Sequence, residues 1–262
     1  MKYRILNKKE TDETLIKIID TLLDSSLPYS GQHRRNQWEK GWNENLKSGD
    51  VTPGYFGKYN IFRINQKFVT STQKNFEQKS LYSIVDQLTY RYLTDVEDIY
   101  EFGCGTGHNL LRIQKINKNA KLHGFDWAVS SNKLVKKLGF DARNFDFFEP
   151  DYSIGLRQDS AVITVASLEQ VGTRFEQFLR YLVRNKPKIV VHIEPIPELL
   201  DKSNLLDYLS IKYMEKRRYL NGYLDTLRIM EKNGFIKILE AQRSGVGSLF
   251  IDGYSVVVWK PL

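Results

Sequence analysis

The sequence predicts an α/β fold, an open sheet with helices packed on it, from three observations. A short apolar and aromatic run, Asp98 to Phe102, ends in glycines at alternate positions, Gly103, Gly105 and Gly107. That is a buried strand turning tightly into a helix, because such a turn needs backbone angles and a close approach that a β-carbon would block. A second run, Lys121 to Asp126, ends in an acid nineteen positions beyond Gly107, and further strand-like runs follow at Asp141 to Phe148, Asp159 to Ala166 and Lys188 to Glu194. The chain closes on two more, Phe235 to Ala241 and Leu249 to Trp259, joined by Gln242 to Gly247, which reads as an antiparallel pair.

The 262 residues are 41% hydrophobic and 27% charged, enough to bury a proper core under an appended cap. No run reaches the length of a membrane span, and the first ten residues have no apolar signal core, so no membrane contact is expected. A single cysteine, Cys104, excludes an intrachain disulfide and suits a reducing cytoplasm.

Thr11 to Leu23 sets Leu15, Ile16, Ile18, Ile19, Leu22 and Leu23 on roughly one helical face, with Thr11 as its cap. Pro28 to Trp42 mixes aromatic, basic and amide side chains without clear period, a composition for either a polar pocket wall or a solvated connector. Pro53 to Tyr59 reads as a turn whose aromatic residues either close over the glycine loop or pack a small sheet. Ile61 to Val69 reads as a hairpin bending at Asn65-Gln66. Asn75 to Leu93 is the helix before the first core strand. These elements give an N-terminal helical and hairpin cap over residues 1–72 and a core over 73–262. Ser203 to Glu231 is helical in period but too long for one ordinary helix, with a break at Asn221-Gly222. Residues 203–222 form an insertion crowded with tyrosine and basic side chains.

What the glycine loop holds depends on its spacing and its acid. A dinucleotide fingerprint runs Gly-x-Gly-x-x-Gly and faces a pyrophosphate. Here the spacing is Gly-x-Gly-x-Gly, and Glu101 stands two residues before the first glycine, where it would repel a pyrophosphate and suit an ammonium group. The pattern Glu101-x-Gly103-x-Gly105-x-Gly107 closely resembles motif I of the class I S-adenosylmethionine-dependent methyltransferases. Asp126, the Asp146-Phe147 pair and Leu168-Glu169-Gln170 resemble that family's later motifs, in the right order.

The resemblance implies a seven-stranded Rossmann-like methyltransferase sheet of order 3-2-1-4-5-7-6, whose antiparallel ending separates it from a dehydrogenase sheet, and S-adenosylmethionine as cofactor. By the same resemblance Glu101, Gly103, Cys104, Gly105 and Asn109 line the methionine part, although the thiol of Cys104 itself reads as packing. Asp126 takes the ribose hydroxyls with Trp127 beside it, Asp146 and Phe147 hold the adenine, and Ala166 and Glu169 lie near the methyl group.

A sulfonium makes its methyl group electrophilic, so the protein's work is alignment and desolvation, helped by a base where the acceptor is an oxygen. Glu194 and His192 share a face of the fifth core strand and are the catalytic candidates; His108, inside the glycine loop, is discounted. His33, Glu169, Tyr213 and Arg217 are candidate substrate contacts, and the triplet Lys216 to Arg218 either holds an anion or is a solvated face. No residue cluster suggests a metal. A net charge of +8 fits nucleic acid or an anionic small molecule. The Asn/Asp-Pro-Pro-Tyr/Phe of base-amino methyltransferases and the Pro-Cys nucleophile of pyrimidine ones are absent. The expected acceptor is therefore a small molecule with an oxygen or nitrogen to methylate, such as a sugar or phosphorylated intermediate of bacterial surface-glycan or secondary metabolism. An RNA or protein acceptor, or a non-catalytic binding module, is the alternative.

Overall fold

The computed structural model describes residues 2–262. A short strand β1 (Arg4–Ile5) leads into α1 (Lys8–Leu23). The helix starts at a capping box: the Asn7 side chain accepts from the Glu10 backbone N–H at 3.0 Å and the Glu10 carboxylate accepts from Asn7 N–H at 2.8 Å. That box, rather than Thr11, caps the helix. Asn7→Ala is expected to cost about 1 kcal/mol of stability, read from urea or thermal unfolding.

After α2 (Arg35–Ser48), strands β2 (Ile61–Ile64) and β3 (Lys67–Thr70) form the predicted hairpin. Its bend residues Asn65 and Gln66 both take positive φ, 47° and 59°, the geometry that matches strand twist in a two-residue turn. Helix α3 (Phe76–Leu88) then precedes the core, which runs β4 (Asp98–Phe102), α4 (His108–Ile116), β5 (Lys121–Asp126), α5 (Val129–Lys137), β6 (Asp141–Asn144), β7 (Ala161–Val165), α6 (Glu176–Asn185) and β8 (Ile189–Glu194). The chain continues through α7 (Leu205–Arg217), α8 (Tyr223–Lys232), β9 (Ile236–Gln242), β10 (Val246–Gly247) and β11 (Ser255–Pro261).

The main sheet has the order β6-β5-β4-β7-β8-β11-β9, which is 3-2-1-4-5-7-6 when core strands alone are counted, with β11 antiparallel to both neighbours. β4, β7 and β8 are buried along their whole length because helices cover both faces. Val85, Leu110 and Val135 pack on one face, and Phe178, Leu182, Tyr223 and Leu227 on the other. The chain reverses direction across the sheet between β4 and β7, and in such sheets the crevice at that switch, off the carboxyl ends of the strands, is where ligands bind.

The closing segment departs from the predicted plain hairpin. Between β9 and β11 the chain leaves the core, and Val246 and Gly247 pair with Ile64 and Arg63 as the outer strand of an antiparallel cap sheet, β1-β3-β2-β10. β11 consequently begins at Ser255 rather than Leu249. Leu249 to Ile251 instead join Ile18, Phe68, Leu209 and Met214 in a cap core, so the insertion helix α7 is part of the cap. Arg63, buried between them, donates to the carbonyl oxygens of Leu206, Leu249 and Phe250 at 2.9, 3.2 and 3.0 Å. Arg243 adds a two-pronged contact to Asp207 at 2.6 and 2.8 Å. The long helical stretch breaks between Arg217 and Tyr223, at the predicted Asn221-Gly222. Among the described residues no helix is long and apolar enough to cross a membrane.

Candidate functional site

The carboxyl ends of β4, β5 and β7 open into a narrow cleft with about 690 Å³ of empty space, counted out to the solvent at its mouth. One wall is the glycine loop, and the opposite wall is Trp38 and Trp42 of α2 with Tyr55. The loop is fixed from the neighbouring strand, since Gly103 N–H and Cys104 N–H both donate to the Phe125 carbonyl, at 2.7 and 3.2 Å. Gly105 has φ 54°, and a β-carbon there would stand 2.9 Å from the Trp42 ring, so the indole rests directly on bare backbone. Cys104 turns its thiol against Ser131 and Gly124, as packing requires, while its backbone stays in the cleft wall.

Glu101 is buried at the end of β4, just behind that wall. Its Oε1 accepts from Asn109 Nδ2 at 2.8 Å, and Asn109 lines the cleft. Glu101 Oε2 and Asn109 Oδ1 are both buried without a partner. Two neighbouring orphan acceptors are costly unless a donor reaches them, and an ammonium group is the donor they suit. Burial pushes the Glu101 carboxyl up to about 8, opposed by Asn109 and assisted by the Asp126 charge.

Asp126 lies in the wall at the end of β5 and accepts from Gly105 N–H at 3.0 Å and Ala128 N–H at 2.8 Å. A carboxylate has about four acceptor positions, so two remain for a diol. Burial pushes this acid up to about 6. Trp127 and Phe147 stand in the same wall as flat apolar surfaces. Asp146 is not among the lining residues: one oxygen accepts from Phe148 N–H at 2.9 Å and the other faces Arg35 at 3.9 Å, which ties α2 to this turn. Ala166 lines the cleft with φ 46°, an uncommon conformation for a non-glycine residue, and its N–H donates to Ile193 at 2.9 Å. That kink leaves Ser167 in the cleft wall, tight against Gly103.

Besides Asp146, which lies outside the cleft wall, three sequence-predicted roles need correction. Glu194 is fully buried and its carboxylate accepts from the N–H groups of Ser167, Leu168 and Glu169 at 3.0 to 3.2 Å, so it shapes the turn after β7 and has no free face toward the cleft. His192 points into the opposite layer, where Nδ1 meets Thr164 Oγ1 at 2.8 Å and Nε2 meets the Tyr223 hydroxyl at 2.7 Å; burial depresses its pKa to about 3. Strand alternation did put both on one face, but at a depth where packing uses them up. His33 is exposed and packs against Tyr29 at a 51° tilt with ring centres 4.6 Å apart, and the inward residue is its neighbour Arg34.

Beside the cleft, Glu169 accepts from Gln170 Nε2 at 2.9 Å, and Gln170, whose Oε1 is an orphan, lines the cleft. Burial, then the Glu194 charge, pushes Glu169 up to about 8. Tyr213 stacks on Phe250 with centres 4.8 Å apart, and Arg217 lies 5.8 Å over Tyr213 and 5.2 Å over Tyr219. The residues missed from sequence are Trp38, Trp42, Arg34, Ser167 and Gln170. Trp38 and Trp42 are one helical turn apart, a spacing that marks a common face.

Glu101, Glu169, Glu194 and Asp126 all have carboxyl groups held above their ordinary range by burial, so the folded chain binds protons more tightly than the unfolded one. Stability from these groups is complete at low pH and is lost as pH rises through about 6 to 8. The ligand-free protein should therefore melt at a lower temperature at about pH 8.5 than at about pH 5.5, in a differential scanning measurement.

No protein-family model and no curated protein matches this sequence. Solved structures do resemble it. Human N-acetylserotonin methyltransferase, in complex with SAM, superposes at a TM-score of 0.50 with 15% identity over 71% of this chain, which spans about half, 52%, of that protein. The plantazolicin methyltransferase BpumL, in complex with SAH, superposes at 0.50 with 14% identity over 95% of this chain and 100% of the other. The [4+2]-cyclase SpnF superposes at 0.57 with 13% identity over 89% and 97%. At such identities the likeness is one of fold: the chain has the fold of the class I methyltransferases.

Proposed function

We propose that the chain binds S-adenosylmethionine in the cleft between the glycine loop and α2 and transfers its methyl group to a small-molecule acceptor, at an oxygen or nitrogen, such as a sugar or phosphorylated intermediate. The observation that carries this reading is the orphan pair, Glu101 Oε2 and Asn109 Oδ1, under a Gly-x-Gly-x-Gly loop that a dinucleotide would not match. The bound cofactor supplies an electrophilic methyl group on a sulfonium. Glu101 and Asn109 hold the ammonium end, Asp126 the ribose, and Trp127 and Phe147 the adenine faces. Trp38, Trp42 and Tyr55 keep water out, which strengthens each polar contact inside. Ala166, Ser167 and Gln170 stand at the end of β7, and Glu169 beside Gln170 is the acid available to accept a proton from the acceptor. With its carboxyl held up to about 8, Glu169 becomes ionised and able to take that proton as the pH rises towards 8.

The test is calorimetry with S-adenosylhomocysteine, followed by labelled-methyl transfer to a small-molecule extract, to total RNA and to protein. Label entering the small-molecule fraction supports the reading, and label entering only RNA or protein replaces the acceptor class. Asp126→Ala is expected to weaken S-adenosylhomocysteine binding by roughly 1–3 kcal/mol through lost buried hydrogen bonds; unchanged affinity would remove Asp126 from the site. The likeness to a protein described as a cyclase motivates a second reading, a cofactor-binding fold that catalyses something other than methyl transfer. Tight S-adenosylhomocysteine binding with no label transferred to any fraction would favour it.

A further inference from the structure

We propose that the acceptor carries an oxyanion, a carboxylate or a phosphate, and that Arg34 and Arg217 hold it on the cap side of the cleft. The proposal rests on the methyl-transfer reading above and names the class of molecule that reading leaves open.

Arg34 is 8% exposed, and its Nε donates to Gln37 at 3.0 Å, but Nη1 is buried without a partner. Arg217 stands on the rings of Tyr213 and Tyr219, and its Nε is likewise buried and unpartnered. Among the described residues neither guanidinium has a carboxylate within 4.0 Å. The two cations are close enough for Arg217 to oppose the charge on Arg34, in addition to the penalty of burial. Guanidinium groups buried or half-buried without an ion-pair partner are costly, so a site of this kind is built to receive an anion. The charge of Glu169 reaches both guanidinium groups, but its carboxylate stands beyond 4.0 Å of each, so it forms no ion pair with them.

The rest of the basic triplet is committed elsewhere. Lys216 Nζ donates to the Leu22 carbonyl at 2.5 Å, and Arg218 lies 4.0 Å over the Tyr29 ring. Ser30 then fixes the two segments together, its N–H donating to the Arg217 carbonyl at 2.8 Å and its hydroxyl to the Arg218 carbonyl at 2.5 Å. The pair also adjoins the cleft: Arg34 lies 5.7 Å over Trp38, and Glu169 is bonded to Gln170, both Trp38 and Gln170 being lining residues. Guanidinium forks match the two oxygens of a carboxylate or phosphate, and two of them fix its orientation as well as its charge. An acceptor held there would have its far end anchored while its nucleophile meets the end of β7.

The experiment titrates benzoate, inorganic phosphate and neutral benzyl alcohol into the full-length protein by calorimetry, with and without saturating S-adenosylhomocysteine. At least one anion should bind tenfold or more tightly than benzyl alcohol. Arg217→Gln and Arg34→Lys should each weaken that anion tenfold or more, with S-adenosylhomocysteine affinity serving as the control for an intact fold. Preference for benzoate indicates a carboxylic acceptor, and preference for phosphate a phosphorylated one. Absence of any anion preference in the wild type, or equal anion affinity in the variants, overturns the proposal; the wild-type comparison stands even where a variant does not fold. Failure of S-adenosylhomocysteine to bind refutes the cofactor reading instead, and the titrations without it still read the arginine site.

Discussion

Glu101→Ala should weaken S-adenosylhomocysteine binding by about 2–5 kcal/mol, a factor on the order of thirty to several thousand. The reason is the pair of orphan acceptors: the alanine removes Oε2, and it also strips Asn109 Nδ2 of its 2.8 Å partner. The effect should grow with pH. Glu101 holds its proton up to about 8, so below that value a ligand ammonium must displace it, and wild-type affinity should rise with pH until the carboxylate is fully formed. Calorimetry at about pH 6 and about pH 8.5, in buffers of different ionisation enthalpy, reads both the affinity and the released proton. A threefold loss or less in the alanine variant, with no pH dependence in the wild type, would take Glu101 out of the site.

Glu194→Ala should lower the stability of the fold by about 3 kcal/mol or more, placing it among the most damaging single changes in the chain. It would leave the buried amides of Ser167, Leu168 and Glu169 without the carboxylate that collects them. Glu194→Gln retains one acceptor oxygen and should cost much less. Urea unfolding of the two variants separates this role from catalysis: a general base would lose activity in both while leaving the midpoint of unfolding where it was. Because the same turn presents Ser167 and Gln170 to the cleft, the alanine variant should also bind S-adenosylhomocysteine less tightly wherever it remains folded.

The topology was legible because it is written in local signals. Alternate glycines can follow a buried strand for few reasons, and an acid at the end of the next strand has few places to go. The hairpin bend at Asn65-Gln66 came from such features, and the order of the main sheet came from the family resemblance they carry. What could not be read depends on partners distant in sequence. His192 is kept neutral by burial, and its two nitrogens are taken up by Thr164 and Tyr223, 28 and 31 residues away. Alternation identified its face but not how deep that face lies. His33 and Arg34 are adjacent, and only the tertiary packing of a three-residue helical turn decides which of them turns inward. The excursion of β10 into the cap sheet left no trace, since Val246-Gly247 is too short for any period to register.

That excursion has a consequence for how the molecule is made. The hairpin Ile61–Thr70 leaves the ribosome long before Val246 exists, yet its outer edge is completed only by that residue and Gly247. Arg63 meanwhile waits for carbonyl oxygens at Leu206, Leu249 and Phe250. Contacts of such long sequence separation form late and slowly, and until they do a bare strand edge is open to other chains. Nascent protein should thus depend on holding chaperones, and refolding from urea should show a slow, concentration-sensitive phase that Val246→Pro, which loses the N–H donated to Ser244 Oγ at 3.1 Å in the turn into β10, makes slower still.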